Sequence, residues 1–509
     1  MFIKWKLLFL CSFVLTFCYQ AVAGVFSNAE KQFENYGGSD YLQKSIIRHN
    51  DAGYPIKEEA FEELKRMQKT LTNRKSSDAM TLEDAIVENG LFAPSPDLWF
   101  KLENDPDIEK ILQEDFSLET VLAVALKNNP KIKSAYKSAR ASLERYDQVS
   151  NLDEIMNQYA SFTKDLEINI GNPMILNRPL MMNYPFPGML ALKGDIVMKD
   201  IQVSTLELKR TVQDIVVSTR QAYYELSYLA DAIKITDGSL KILQKMKDAV
   251  NSVYISGKVS MNDIVKIQME IEKLQNKIES IDQEKKTAQL TLNKLMGING
   301  NFTPSNTDEL KPYILAFKKS ELLQKSIRNR ADILILSKQL ERMNLMIKMA
   351  EKEFYPDFTV GFSVFQNRIE KPAFSAMPMV RSGNWFGKND AYIRETKTRY
   401  NSKKDMLEDL KNTTETMINE TLFKYENAQR FFNLYDSKLV PESQMTVDIS
   451  TTLYVNRKIG FVDLISSQEL FLKYSLQLKE SVKNMNVELA KIERLLGEQL
   501  SQTFEKGER

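Results

Sequence analysis

The stretch YISGKVSMNDIVKIQ, residues 254–268, is written again as YVNRKIGFVDLISSQ, residues 454–468, and this duplication constrains the fold more than any other feature. Tyr254, Lys258, Asp263 and Gln268 return as Tyr454, Lys458, Asp463 and Gln468, about two hundred positions on. Each copy runs on to a Leu-x-Gly, at Leu295 to Gly297 and at Leu495 to Gly497. After Asn262, the residues Ile264, Ile267, Ile271, Leu274, Ile278, Ile281, Ala288, Leu292 and Leu295 step by three and four. After Asp463, Leu464, Phe471, Leu478, Met485 and Ile492, interleaved with Val482, Leu489 and Leu496, keep the same beat. These are heptad seams. Each turn therefore reverses the chain between two long helices, and the same hairpin is built twice.

The segments before each hairpin repeat a plan as well. A helix opens at SLETVLAVALKNNPKI with Ser117 as N-cap and Leu118, Val121, Leu122 and Ala125 on one face, and Pro130 is expected to break it. The pattern fails near residue 160, where Leu166, Ile168 and Ile170 alternate with Glu167 and Asn169 in the period of a strand. From roughly Lys193 to Val253 the helical pattern returns, about 90 Å of helix. The second half reads the same way. A helix over NRADILILSKQLERMNLMIKMAEKEF leads to a strand with Phe358, Val360, Phe362 and Val364 on one face. A strand of weak alternation follows in AFSAMPMVRSGNWFG, and then a helix from about Asp390 to Leu453.

Composition excludes several function classes. His49 is the sole histidine, and both cysteines, Cys11 and Cys18, lie in the apolar N-terminal run, so the commonest bases, nucleophiles and transition-metal ligands are missing. No Gly-rich phosphate loop, HExxH or GxSxG is present. No enzyme activity, cofactor or resident metal is expected. The formal charge of +1 is spread over alternating acids and bases, which speaks for solvated helix faces and against a nucleic-acid surface. Met343, Met346 and Met349 follow helical spacing, which reads as packing before it reads as a Cu(I) path.

Lys4 and Lys6 precede a short apolar run closed by Ala21 and Ala23, the form of a secretory signal cleaved after Ala23. Phe17 stands where a lipoprotein signal ending at Cys18 would require a small residue, so lipidation is the alternative and not the expectation. The chain then divides into a signal peptide (1–23), a helical extension of unassigned role (24–115), a first unit (116–300), a connecting segment (301–320), a second unit (321–497) and a polar tail (498–509). Within the extension, TLEDAIVENG opens with a capping pattern from Thr81 to Asp84.

The plan yields about four strands per chain, whereas a closed barrel needs about eight, and an open sheet edge is not tolerated in lipid. Strands that enter a membrane must therefore be shared among several chains, with Leu166, Ile168, Ile170, Phe358, Val360, Phe362 and Val364 toward lipid. A small soluble sheet with one buried face fits the same alternation.

The stretches SLETVLAVALKNNPKI, PFPGMLALKG, FYPDFTVGFSVF, the paired turns and the tails LNKLMG and IERLLG, in this order over roughly residues 116–497, resemble the TolC-like outer-membrane efflux proteins, the outer membrane factors of tripartite efflux systems. The resemblance implies a mainly α fold with a small membrane β part: a homotrimer whose helical hairpins form a coiled-coil α-barrel in the periplasm and whose strands share one β-barrel in outer-membrane lipid. It implies a passive exit duct in the Gram-negative envelope, supplied by a periplasmic adaptor and an inner-membrane pump, with PFPG resembling members served by resistance-nodulation-division pumps. It places the two turns, Tyr254, Gly257 and Asp263 in one and Tyr454, Arg457, Lys458, Gly460 and Asp463 in the other, at the periplasmic tip that gates the tunnel. Arg457 stands where the family has glycine, and Ser466 where it often has a second acid, so Asp463 is the single gate candidate. The competing reading is a periplasmic coiled-coil adaptor or scaffold without its own pore.

Overall fold

The computed structural model of the chain describes residues 91–104, 107–150, 180–184, 189–255, 261–298, 300, 302–304, 308–314, 319–353, 358–365, 373–380, 388–456, 458–500 and 502–503. All of them fall within one structural unit, residues 68–509. The signal peptide with Cys18, the Thr81 capping pattern, the strand expected at Leu166 to Ile170, and Gly257, Lys258 and Arg457 lie outside the described residues.

Two short helices, α1 (Pro96–Asn104) and α2 (Ile108–Glu114), precede α3 (Leu118–Asn128). Ser117 caps α3, its hydroxyl accepting from the Thr120 N–H at 3.3 Å, and the Thr120 hydroxyl donates to Asp115 at 2.6 Å. Leu91, Leu102, Ile111 and Leu112 are buried in the same core as α3, so the end of the extension is packed into the body. Pro130 is the first residue of α4 (Pro130–Ser150), where its missing N–H has no helical partner to lose. The break sits against the end of another helix. Asn129 donates from Nδ2 to the Leu295 carbonyl at 2.7 Å and accepts the Lys131 N–H at 2.9 Å.

Helix α5 (Met189–Ile255) runs for 67 residues, roughly 100 Å at about 1.5 Å per residue. It packs on α3 and α4, and on α6 (Met261–Met296), α8 (Ala331–Lys352) and α11 (Phe461–Leu496), so buried residues appear on several of its faces. Helix α7 (Lys319–Asn329) leads into α8. Helix α9 (Lys388–Leu434) continues through a π-turn at Tyr435–Leu439 into α10 (Val440–Val455). The wide turn has a local cause: Pro441 cannot donate and its ring crowds the preceding turn, and the Val440 N–H bonds back to Tyr435.

The seams fall where the sequence places them, with one shift. Ile267, Ile271, Leu274, Ile281 and Leu292 are buried along α6, and Leu464, Val482, Met485, Leu489, Ile492 and Leu496 along α11. Leu472 is buried where Phe471 was expected, because this stretch of α11 faces Leu243 and Leu274 of the other hairpin as well as its own partner helix. Both tails end in glycine at positive φ, Gly297 at 66° and Gly497 at 70°. A Cβ on Gly297 would stand 2.9 Å from the Asn128 carbonyl, and one on Gly497 2.8 Å from that of Asn329. Each Leu-x-Gly therefore docks on the end of a helix about two hundred positions from its counterpart's dock.

The main sheet is antiparallel in the order β1 (Leu180–Tyr184), β3 (Phe358–Phe365), β4 (Ala373–Val380). A second, two-stranded ladder pairs β2 (Tyr313–Ile314) with β5 (Gln502–Thr503), which binds part of the polar tail. The strand β1 was not foreseen. Met181 is apolar in a polar register position and prolines flank the segment, so its alternation is masked. Pro378 explains the weak signal of β4; β4 is an edge strand among the described residues, where a missing donor is tolerated.

Candidate functional site

At one end of the two hairpins, Leu240, Leu243 and Val250 of α5, Ile267, Ile271 and Leu274 of α6, and Phe461 and Leu472 of α11 form one apolar cluster. Tyr454, at the end of α10, packs against it and meets Phe461 edge to face, with ring centroids 5.8 Å apart. Its hydroxyl is buried and has no hydrogen-bond partner among the described residues. Burial pushes the Tyr454 phenol up from its ordinary value, and the Asp263 carboxylate pushes it the same way. An acid of the first turn is thus within electrostatic reach of a tyrosine of the second.

Asp463 has a different setting. Gly460 is the N-cap of α11, and its N–H donates to Asp463 Oδ2 at 3.3 Å, the reach-back half of a capping box. The turn before it closes with the Lys458 N–H on the Leu453 carbonyl at 2.8 Å and the Asn456 N–H on Thr452. No ion pair joins Lys458 to Asp463 within the chain among the described residues. Asp463 and Lys458 are both exposed, at the start of the helix and in the turn.

The sheet carries its own pattern. The register sets Tyr184, Phe358 and Val380 in one row, Met182, Val360 and Pro378 in the next, and Leu180, Phe362 and Ala376 in a third. Opposed residues share a face, so one face of three strands is apolar throughout. The alternate rows hold Asn183, Thr359, Gly361, Ser363 and Ser375 together with Met181, Met377, Met379 and the pair Phe365 and Ala373. Both outer edges, of β1 and β4, lack a partner strand among the described residues. No described helix is long and apolar enough to cross a membrane.

No protein-family profile matches the chain. Among solved structures, the outer membrane protein VceC of Vibrio cholerae aligns with a TM-score of 0.62 at 15% identity, over 80% of this chain and 100% of that one. The open state of the MtrE outer membrane channel of Neisseria gonorrhoeae aligns at 0.57, with 15% identity over 76% and 91%. The fold is that of the TolC-like outer-membrane channels. Among curated proteins, the toxin and drug export protein A of Aggregatibacter actinomycetemcomitans is 22% identical over 315 residues, 60% of this chain and 65% of that protein. The chain thus spans just under two thirds of that relative.

In this TolC-like frame the structure puts Asp263 within electrostatic reach of Tyr454 and leaves Asp463 on its own helix start. It also shows groups that the pattern did not single out. Lys273 of α6 bonds Glu469 of α11 at 2.7 Å, a bridge between the hairpins, and Glu469 holds the Lys273 ammonium up from its ordinary value. Both partners are half-exposed, so the bridge is worth at most about 1 kcal/mol. Arg220 of α5 and Glu493 of α11 form a buried ion pair, and Glu493 Oε1 also accepts the Leu500 N–H at 2.7 Å. The duplicated glutamines diverge: Gln268 accepts from Lys247 at 2.7 Å and donates to Glu272 at 2.8 Å, while neither amide atom of Gln468 has a partner.

Proposed function

We propose that the protein is the outer-membrane exit duct of a tripartite efflux or secretion system. The observation that carries this reading is the pairing, in one TolC-like fold, of two long helical hairpins with a sheet that has one apolar face and, among the described residues, two unpaired edges. Such a sheet satisfies its backbone in lipid only when its edges are closed by further strands, and the four or so expected of one chain are too few to close a barrel. Three chains close it, with the hairpins, two from each chain, ringing a periplasmic tunnel. The written duplication then has a use: each chain supplies two copies of one wall unit. A periplasmic adaptor and an inner-membrane pump of the resistance-nodulation-division type deliver the solute, and the duct itself catalyses nothing.

The turns form the periplasmic gate in this reading. Threefold symmetry brings three copies of Asp463 around the axis, where like charges repel unless cations or the neighbouring Arg457 and Lys458 offset them. Carboxylate rings favour cation passage. In planar-bilayer recordings, Asp463→Ala is expected to raise open conductance or weaken cation selectivity, and Asp263→Ala to do less. If both variants conduct like the parent, Asp463 is a helix cap only and the gate lies elsewhere. Growth of a deletion strain under copper, silver, zinc and drug stress identifies the solute.

A further inference from the structure

Between the two hairpins lies a cavity of about 350 Å3, with α5 and α6 on one side and α11 on the other. This is within the size range of small-molecule sites, roughly 300–1,000 Å3. Its apolar lining includes Leu243, Leu274, Leu472 and Leu476. Its charges are Glu270, Lys273, Lys277, Glu469, Lys473 and Glu480. Lys273 engages both Glu270, at 3.1 Å, and Glu469, at 2.7 Å. Lys277 and Lys473 have no ion-pair partner among the described residues, and they face a single remaining carboxylate, Glu480. Burial and the neighbouring Lys273 charge both press the Lys277 ammonium below its ordinary value, the condition an added anion relieves. Gln468 also lines the cavity, only 3% exposed, and neither its amide nitrogen nor its amide oxygen is hydrogen-bonded. Buried amides are ordinarily paired, and Gln268, its counterpart in the other turn, is.

We propose that this cavity binds a small amphiphilic organic carboxylate, its anionic head against Lys277 and Lys473 and the Gln468 amide, its apolar body along the leucines of α5, α6 and α11. Such an occupant touches both hairpins at the level of the Lys273–Glu469 bridge and ties them together. The inference rests on the cavity alone and holds whether or not the chain is a duct.

The test uses the full-length protein in lipid nanodiscs, with radiolabelled octanoate as the probe in equilibrium dialysis against empty nanodiscs. Saturable binding of one octanoate per chain is expected, with no competition from octylammonium. Lys277→Gln should weaken it at least tenfold, and Gln468→Met should weaken it as well. The Lys277 side chain is largely solvent-accessible although its ammonium is partly desolvated at the cavity, so its replacement disturbs little packing and keeps the test meaningful if Gln468→Met misfolds. Binding no greater than to empty discs, equal competition by octylammonium, or undiminished binding by Lys277→Gln would overturn the proposal.

Discussion

Glu493 shows how much of this molecule depends on single buried contacts. Its carboxylate is fully buried against Arg220, 273 positions away, and also holds the Leu500 N–H. Glu493→Ala strands a buried guanidinium and is expected to destabilise the fold by about 3–5 kcal/mol in denaturant unfolding, whereas the double replacement Arg220→Met with Glu493→Leu should recover most of that loss. Equal losses in the single and double variants would show that the pair is not the cause. Glycines give a second contrast. Gly497→Ala meets both a left-handed backbone and a carbonyl 2.8 Å away, and should cost at least about 1–2 kcal/mol. Gly238→Ala, inside α5 with nothing within 4 Å, should stabilise by up to about 1 kcal/mol. A thermal-shift comparison that gives both changes the same sign would refute the assignment. The Leu-x-Gly signature was legible in the sequence. Its docking carbonyl and the Arg220 to Glu493 pair were not, because contacts over such separations leave no local spacing to read.

At the scale of elements, the helices were the most readable, since long amphipathic seams repeat their signal many times over. Leu472 displaced Phe471 because three helices meet there, a fact that a two-helix heptad pattern does not encode. Strand β1 was hidden by a single residue, Met181, in five. The tip was half legible: the turn residues stand out by their duplication, but local spacing does not encode that Asp263 acts electrostatically on Tyr454 while Asp463 reaches back to its own helix start. Helix α5 also makes a pH prediction. Burial pushes Tyr228 up to about 12, and Tyr223 and Tyr224 higher still. Each phenol binds its proton more tightly folded than unfolded, so its contribution is whole below pH ~10 and is lost as pH rises through the folded value. Absorbance titration should show these tyrosines ionising at about pH 12 or only with cooperative unfolding. Complete ionisation of all tyrosines by pH ~10.5 with the helices intact would contradict the packing around α5.

For the whole molecule, the open sheet is the decisive feature. Its apolar rows extend over β1, β3 and β4, and both edge strands lack partners among the described residues, so in lipid each edge calls for a further strand. The hairpins pose the same problem in milder form. Met261, Val265 and Met269 lie one helical turn apart along α6 and are 46–62% exposed, an apolar ladder that a neighbouring chain would cover. Both observations fit the proposed assembly of identical chains closed around one axis. The most direct measurement is the native mass of the protein extracted from outer membranes in mild detergent. The account predicts a particle of three chains that requires detergent or lipid to stay in solution; a monomer or dimer recovered from the soluble periplasmic fraction would contradict it.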